Sequence, residues 1–168
     1  MTRYAFEIPG KPMGKGRPRF GGGRTYTPAA TLNAEQWVKH HALQAGVTPI
    51  EGPVLLDITA VAAIPKSWTK KRRAEALATG WDTRKPDADN IAKLIADSLN
   101  GIAWADDAQV ARCVIDKRLS AEGSEKVVVI VRALNSALPP DFTADVVRDV
   151  SAKNGWTAEH PVDASGDT

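Results

Sequence analysis

Only one cysteine, Cys113, occurs in the 168 residues, so no intrachain disulfide can staple the fold. A lone thiol of this kind fits a reducing compartment and usually packs as a small apolar side chain. Long hydrophobic runs are missing as well. The first apolar stretch, Tyr4–Ile8, is interrupted by Glu7 and stopped by Pro9-Gly10, which excludes a signal-peptide core or a membrane span there. The expected location is therefore the cytoplasm, with no membrane partner. Several site signatures are absent too. Gly10–Gly16 lacks the Gly-x₄-Gly-Lys-Ser/Thr spacing of a P-loop, and no Gly-x-Ser-x-Gly elbow occurs. Asp87-Ala-Asp-Asn lacks the later glycine of a calcium loop, and Ser98 stands where its bidentate glutamate would fall. His40 and His41 are adjacent on an expected helix and point to different faces, which argues against a zinc site.

What is present is ordinary globular composition with an uneven charge distribution. A chain of this length is one domain by its size and can bury a core without staples. The net charge of +2 conceals two basic blocks and an acidic tail. Residues 1–40 carry seven lysines and arginines against two acids, and so do residues 65–86. Residues 139–168 carry two cations against six acids. This asymmetry suggests a polyanion partner and a separate appendage. The expected division is a folded domain over 1–138 and an acidic extension over 139–168, partly helical or disordered.

The hydrophobic periodicity predicts a mixed α/β fold. Tyr4–Ile8 alternates as a strand, and 10–28 is a long Gly- and Pro-rich loop with cations. A helix is expected over 29–45 and a β-branched strand over 54–64, closed by Pro65. Ser67 reads as the cap of a basic helix reaching Ala78. A third helix over 88–100 carries the stripe Ile91, Leu94, Ile95, Leu99. Strands over 109–121 and 126–134 are expected to pair as a hairpin. The order β-α-β-α-α-β-β gives a small mixed sheet of about four strands with helices packed on it. Trp37 and Trp104, with apolar neighbours, are expected in the core.

The chemistry concentrates in Lys85-Pro-Asp-Ala-Asp-Asn-Ile-Ala-Lys-Leu-Ile-Ala-Asp97. Pro86 disfavours helical geometry at Lys85, so Asp87 and Asp89 fall at a helix start, where free backbone N–H groups favour anions. Asp89, Lys93 and Asp97 follow at i, i+4, i+8 on one face. A second acidic pair, Asp106-Asp107, precedes the next strand. If that strand starts beside the helix N-terminus, the carboxylates converge and repel unless a hard cation joins them. Such a cation would activate water and neutralise charge in phosphodiester hydrolysis. The bland alternative makes Asp87 or Asp89 a helix cap and Asp106-Asp107 a turn. What favours a site is the joint occurrence of paired carboxylates, a lysine on their face, a second acidic pair and basic loops.

The chain resembles the RusA family of Holliday-junction resolvases, common in phages and prophages. The resemblance rests on Ile8-Pro-Gly-Lys-Pro, Lys15-Gly-Arg-Pro-Arg19 with Tyr26-Thr-Pro28, Asp87-Ala-Asp-Asn-Ile-Ala-Lys93 with Asp97, and Trp104-Ala-Asp-Asp-Ala-Gln-Val110. It spans roughly residues 4–134. It implies a homodimeric, mixed α/β endodeoxyribonuclease that cuts four-way DNA junctions with Mg²⁺, for which Mn²⁺ can substitute. It implies Asp87, Asp89 and Asp107 as metal-holding carboxylates, with Asp106 as an accessory, and Lys93 as the essential lysine. Lys11, Lys15, Arg17, Arg19 and Lys85 are the expected phosphate contacts. Trp81, close to Asp87, is the candidate for stacking on unpaired bases. Two other readings stay open: a non-catalytic DNA-binding accessory, and a nuclease acting on flaps, forks or other branched DNA. The role of Lys66–Arg73 rests on charge alone.

Overall fold

A computed structural model describes residues 2–134. The acidic extension expected over 139–168 lies outside the described residues. The chain runs through β1 (Arg3–Pro9), β2 (Arg19–Gly21), β3 (Arg24–Tyr26), α1 (Ala29–Gln44), β4 (Val54–Ala63), α2 (Lys70–Thr79), α3 (Ala88–Leu99), β5 (Val110–Ser120) and β6 (Lys126–Ala133). Four strands form one sheet in the order β1-β6-β4-β5. Strands β4 and β5 are parallel, and the other pairings are antiparallel. The fold is thus the mixed α/β class that the periodicity predicts.

The core forms where sheet and helices present their apolar faces. Strand β6 alternates with period two, so Val127, Val129 and Val131 are buried. Val54, Leu56 and Ile58 of β4 meet them, and Ile91, Ile95 and Leu99 of α3 close the layer. Leu94 is buried on the same helix face. Val38 and Ala42 attach α1 to this cluster. Trp104 is fully buried, and its indole N–H donates to Asn100 Oδ1 at 2.8 Å. That bond satisfies the one polar group a buried indole carries.

Five expectations about local structure are corrected. Strands β5 and β6 do not pair with each other, because β4 lies between them. The most thoroughly buried strand takes the central place, and the short connection 121–125 crosses its end. The cap of α2 is Thr69, whose hydroxyl accepts from Arg72 N, while Ser67 is absorbed in the turn closed by Trp68 N and Pro65 O. The loop over 10–28 contains the hairpin β2–β3. Gly22 and Gly23 have φ of 59° and 77°, as a two-residue hairpin turn requires. Trp37 is exposed, lies against His40 and His41, and donates its indole N–H to Pro9 O. Cys113 is likewise exposed, on β5 at the sheet edge. Among the described residues no helix is long and apolar enough to cross a membrane.

Candidate active site

Parallel pairing of β4 and β5 determines where α3 can begin. The chain must return from the end of β4 to the start of β5, and α3 supplies the last leg of that return. Its start therefore lies at the carboxyl ends of both strands. Three contacts hold it there. Leu119 N donates to Gly80 O, Asp82 N donates to Lys117 O, and Arg84 Nη2 donates to Ala63 O at 3.0 Å.

Asp82 and Arg84 form the stiff lead-in to the helix. The Asp82 carboxylate is almost fully buried and accepts from Arg84 N, Nε and Nη2 at 2.7–3.0 Å. Burial alone would raise its pKa, but the hydrogen bonds from Arg84 outweigh it and hold the group below its ordinary value. The folded state therefore gains stability from ionised Asp82 above about pH 3.8, and loses it as pH falls through the depressed value. Asp82→Asn should be less stable than the native chain at neutral pH. In thermal unfolding that gap should close progressively below pH 3.8; a gap independent of pH would contradict the ion-pair account.

Asp87 occupies the N-cap position of α3 but makes no side-chain cap hydrogen bond. Its carboxylate is half exposed and pairs with Lys85 instead. Asp89 is exposed in the first turn, and Lys93 is exposed one turn further on. Among the described residues neither is engaged in an ion pair. Asp97, on the same stripe, turns to a different lysine, Lys15, at 2.9 Å. An open cleft of about 390 Å³ lies beside Asp87, with Gly14, Lys15, Arg17, Lys85 and Asn90 on its walls.

The Gly-Lys-Gly segment reaches this cleft because it is threaded between helices. Lys15 N donates to Asn90 O at 2.8 Å. A Cβ on Gly14 would stand 2.9 Å from Pro86 Cβ, and one on Gly16 would stand 2.5 Å from Thr31 Oγ1. Only glycine fits at either position without displacement. The Lys15 ammonium bridges Glu35 of α1 and Asp97 of α3. Burial alone would lower its pKa, but hydrogen bonds to Asp97 and Glu35 raise it above the ordinary value. Lys15 is thus a strut that carries Arg17 into place, whereas Lys11, Arg17 and Lys85 are exposed. Arg19 lies in β2.

The second acidic pair divides its work. Asp106 caps the 3₁₀ turn Asp107–Gln109, accepting from Ala108 N at 2.8 Å. Gln109 accepts from Ala105 N and donates to Ile50 O and Gly52 O, bolting the turn to the loop before β4. Asp107 is left exposed and uncommitted. Asp107 stands at the far end of α3, however. A 12-residue helix is about 18 Å long, so Asp107 does not reach Asp87 or Asp89 of its own chain. The convergence of carboxylates expected from the sequence does not occur within one chain. Among the described residues no three acidic, histidine or cysteine side chains are gathered closely enough to hold a metal.

Cations and aromatics surround the helix start. Helix α2 buries none of its residues. Trp68 lies under the Arg72 guanidinium at 4.1 Å and the Arg84 guanidinium at 5.3 Å. Trp81 is half exposed and is covered by Arg118 at 3.5 Å. Sequence reasoning missed Asp82, Arg84, Glu35 and Arg118. Their partners lie 2 to 37 positions away in the chain, and apart from Asp82-Thr-Arg84 no local pattern announces them.

The family model described as Endodeoxyribonuclease RusA matches residues 9–132. The chain is also 33% identical over 144 residues to a Bacillus subtilis (strain 168) protein described as "Uncharacterized protein YqaN". That alignment covers 81% of this chain and all of the relative. The matched span contains both acidic pairs, Lys93, the threaded glycine segment, all of β4 and β5, β6 to Arg132 and only the last residue of β1. The chain belongs to the RusA endodeoxyribonuclease family.

Proposed function

We propose that the protein is a homodimeric, Mg²⁺-dependent nuclease that resolves four-way DNA junctions, as in recombination and repair. The observation that carries this reading is the state of α3's first turns: Asp89 and Lys93 are exposed and, among the described residues, make no ion pair, while Asp87 caps nothing, pairs only with the exposed Lys85 and lines a cation-walled cleft. Asp87 and Asp89 offer hard oxygen donors, and a Mg²⁺ site commonly takes one or two carboxylates plus waters and substrate phosphates. When bound, the ion supplies a water activated for attack and neutralises charge on the reacting phosphate. Mn²⁺, with similar oxygen preference, would substitute.

The remaining work falls to side chains of this chain. Lys93, one turn from Asp89, meets the non-bridging oxygens of the scissile phosphate. Arg17, Lys85 and Lys11 hold flanking phosphates, Arg19 extends that grip, and Lys15 keeps the loop rigid. Asp107 completes the carboxylate set from a second chain, because its own chain's α3 separates it from Asp87 by the helix length. A two-fold dimer then has two sites, matching the two symmetric cuts of a junction. Asp106 acts by capping the turn that presents Asp107.

Asp107→Asn tests the assignment. Junction binding measured by gel shift should persist, and cleavage should fall by at least about 10²-fold, the loss typical of removing one charge-stabilising group. Cleavage at the native rate would remove Asp107 from the site.

A further inference from the structure

A second cavity, of about 360 Å³, lies on the other side of Lys85 and Pro86 from the Asp87 cleft; both residues line both spaces. We propose that this cavity captures one nucleobase swung out of the stack next to the scissile phosphate. The proposal rests on the nuclease reading above and names a specificity element for it.

The position is the first argument. The cavity opens at the carboxyl ends of the parallel strands β4 and β5, beside the start of α3. Ligands of open α/β sheets gather in such crevices. A phosphate seated at Asp87 is one nucleotide's reach from it, because only the Lys85-Pro86 wall intervenes.

The lining is the second argument. Ala60, Ala62 and Ala63 of β4 and Ile91 of α3 contribute side chains with no polar atom. Three alanines leave room where larger residues would fill the space. Such a floor suits the face of an aromatic ring. The rim is polar and of two kinds. Arg84 and Lys117 are committed: Arg84 to Asp82 and Ala63 O, Lys117 to Arg84 O. They hold the wall in shape. Lys11 and Glu125 also line the cavity, and among the described residues neither side chain has a hydrogen-bond or ion-pair partner.

The chemistry of that rim selects among bases. A carboxylate only accepts hydrogen bonds, so Glu125 favours the exocyclic amino group of cytosine, adenine or guanine over the carbonyl oxygen of thymine. Lys11 is free to hold the sugar-phosphate that follows. Unstacking is easiest where a base is already unpaired, so capture favours branch points over continuous duplex. The cavity therefore couples DNA structure to base identity at the cut.

The test places 2-aminopurine, one position at a time, on either side of the cut in a synthetic four-way junction. The native chain is bound in EDTA, so that no cleavage intervenes. At least one flanking position should brighten severalfold on binding. Ala62→Phe fills the cavity and should abolish the rise while gel-shift affinity stays within about threefold. Glu125→Gln, a rim change that leaves the floor intact, guards against misfolding of the first variant. In Mg²⁺, the native chain should cut junctions with cytosine at that position about tenfold faster than those with thymine, and Glu125→Gln should erase the difference. No brightening at any flanking position, or brightening undiminished in both variants, overturns the proposal. Loss of the signal on adding micromolar deoxycytidine monophosphate would mark a free-nucleotide site and overturns it too. Brightening is read without metal, so it survives a failure of the catalytic reading. Cleavage without brightening, conversely, removes only the base pocket.

Discussion

Chains carrying Asp87→Asn, mixed and refolded with chains carrying Asp107→Asn, are expected to regain cleavage that neither variant has alone. The expectation follows from the length of α3. Asp87 stands at its start and Asp107 just past its end, about 18 Å apart along the axis. If each site takes Asp87 and Asp89 from one chain and Asp107 from the other, each homodimeric variant has two broken sites. A mixed dimer has one site broken twice and one site intact. Random pairing then restores about a quarter of the native sites, all in dimers with a single active centre. The product should be a nicked junction, not a resolved pair of duplexes, which a denaturing and a native gel distinguish. If mixing restores nothing while mixed dimers form, Asp107 does not complete the site in trans.

Gly14→Ala is expected to lower cleavage about 10²-fold, the order seen when reacting groups are misplaced by about an ångström. Its Cβ would meet Pro86 Cβ at 2.9 Å and Asn90 Cβ at 3.0 Å. Those atoms are attached directly to the backbone and cannot swing aside. The loop must back off from α3, which strains the Lys15 N to Asn90 O hydrogen bond and shifts Arg17 away from Asp87. Overpacking of this kind costs about 1–3 kcal/mol, so the melting temperature should fall by a few degrees while the fold persists. Circular dichroism and single-turnover cleavage on the same preparation separate the two effects. A chain that melts earlier but cuts at the native rate would show that the loop braces the fold without shaping the site.

The elements with strong periodicity were legible in the residues. Ile91, Leu94, Ile95 and Leu99 predicted the buried face of α3. The β-branched run from Val54 predicted a long strand, though not its place inside the sheet. Less legible was anything decided by a distant partner. The turn 121–125 looks like the tip of a hairpin, but nothing local to it says that β4 will insert between the two strands. The strands β2 and β3 are three residues each, too short for alternation to register, and only the Gly22-Gly23 turn signals them. Lys15 read as one more cation of a basic loop, because Glu35 and Asp97, its partners, lie 20 and 82 positions away. The aspartates of the site were visible by type and spacing, yet their separation was not. It comes from the direction of α3, which parallel pairing of β4 with β5 imposes. By residue type Asp106 and Asp107 are alike, and only the family resemblance ranked Asp107 first; the 3₁₀ turn gives Asp106 the cap and leaves the Asp107 carboxylate free.

The most direct measurement is cleavage of an end-labelled four-way junction by the native chain, with Mg²⁺ and with EDTA, beside a linear duplex of the same sequence. Paired, symmetry-related cuts near the branch point with Mg²⁺ are predicted, with none in EDTA and none in the duplex. A junction that is bound in gel shift but left intact with Mg²⁺, or a duplex cut as readily as the junction, would contradict the account.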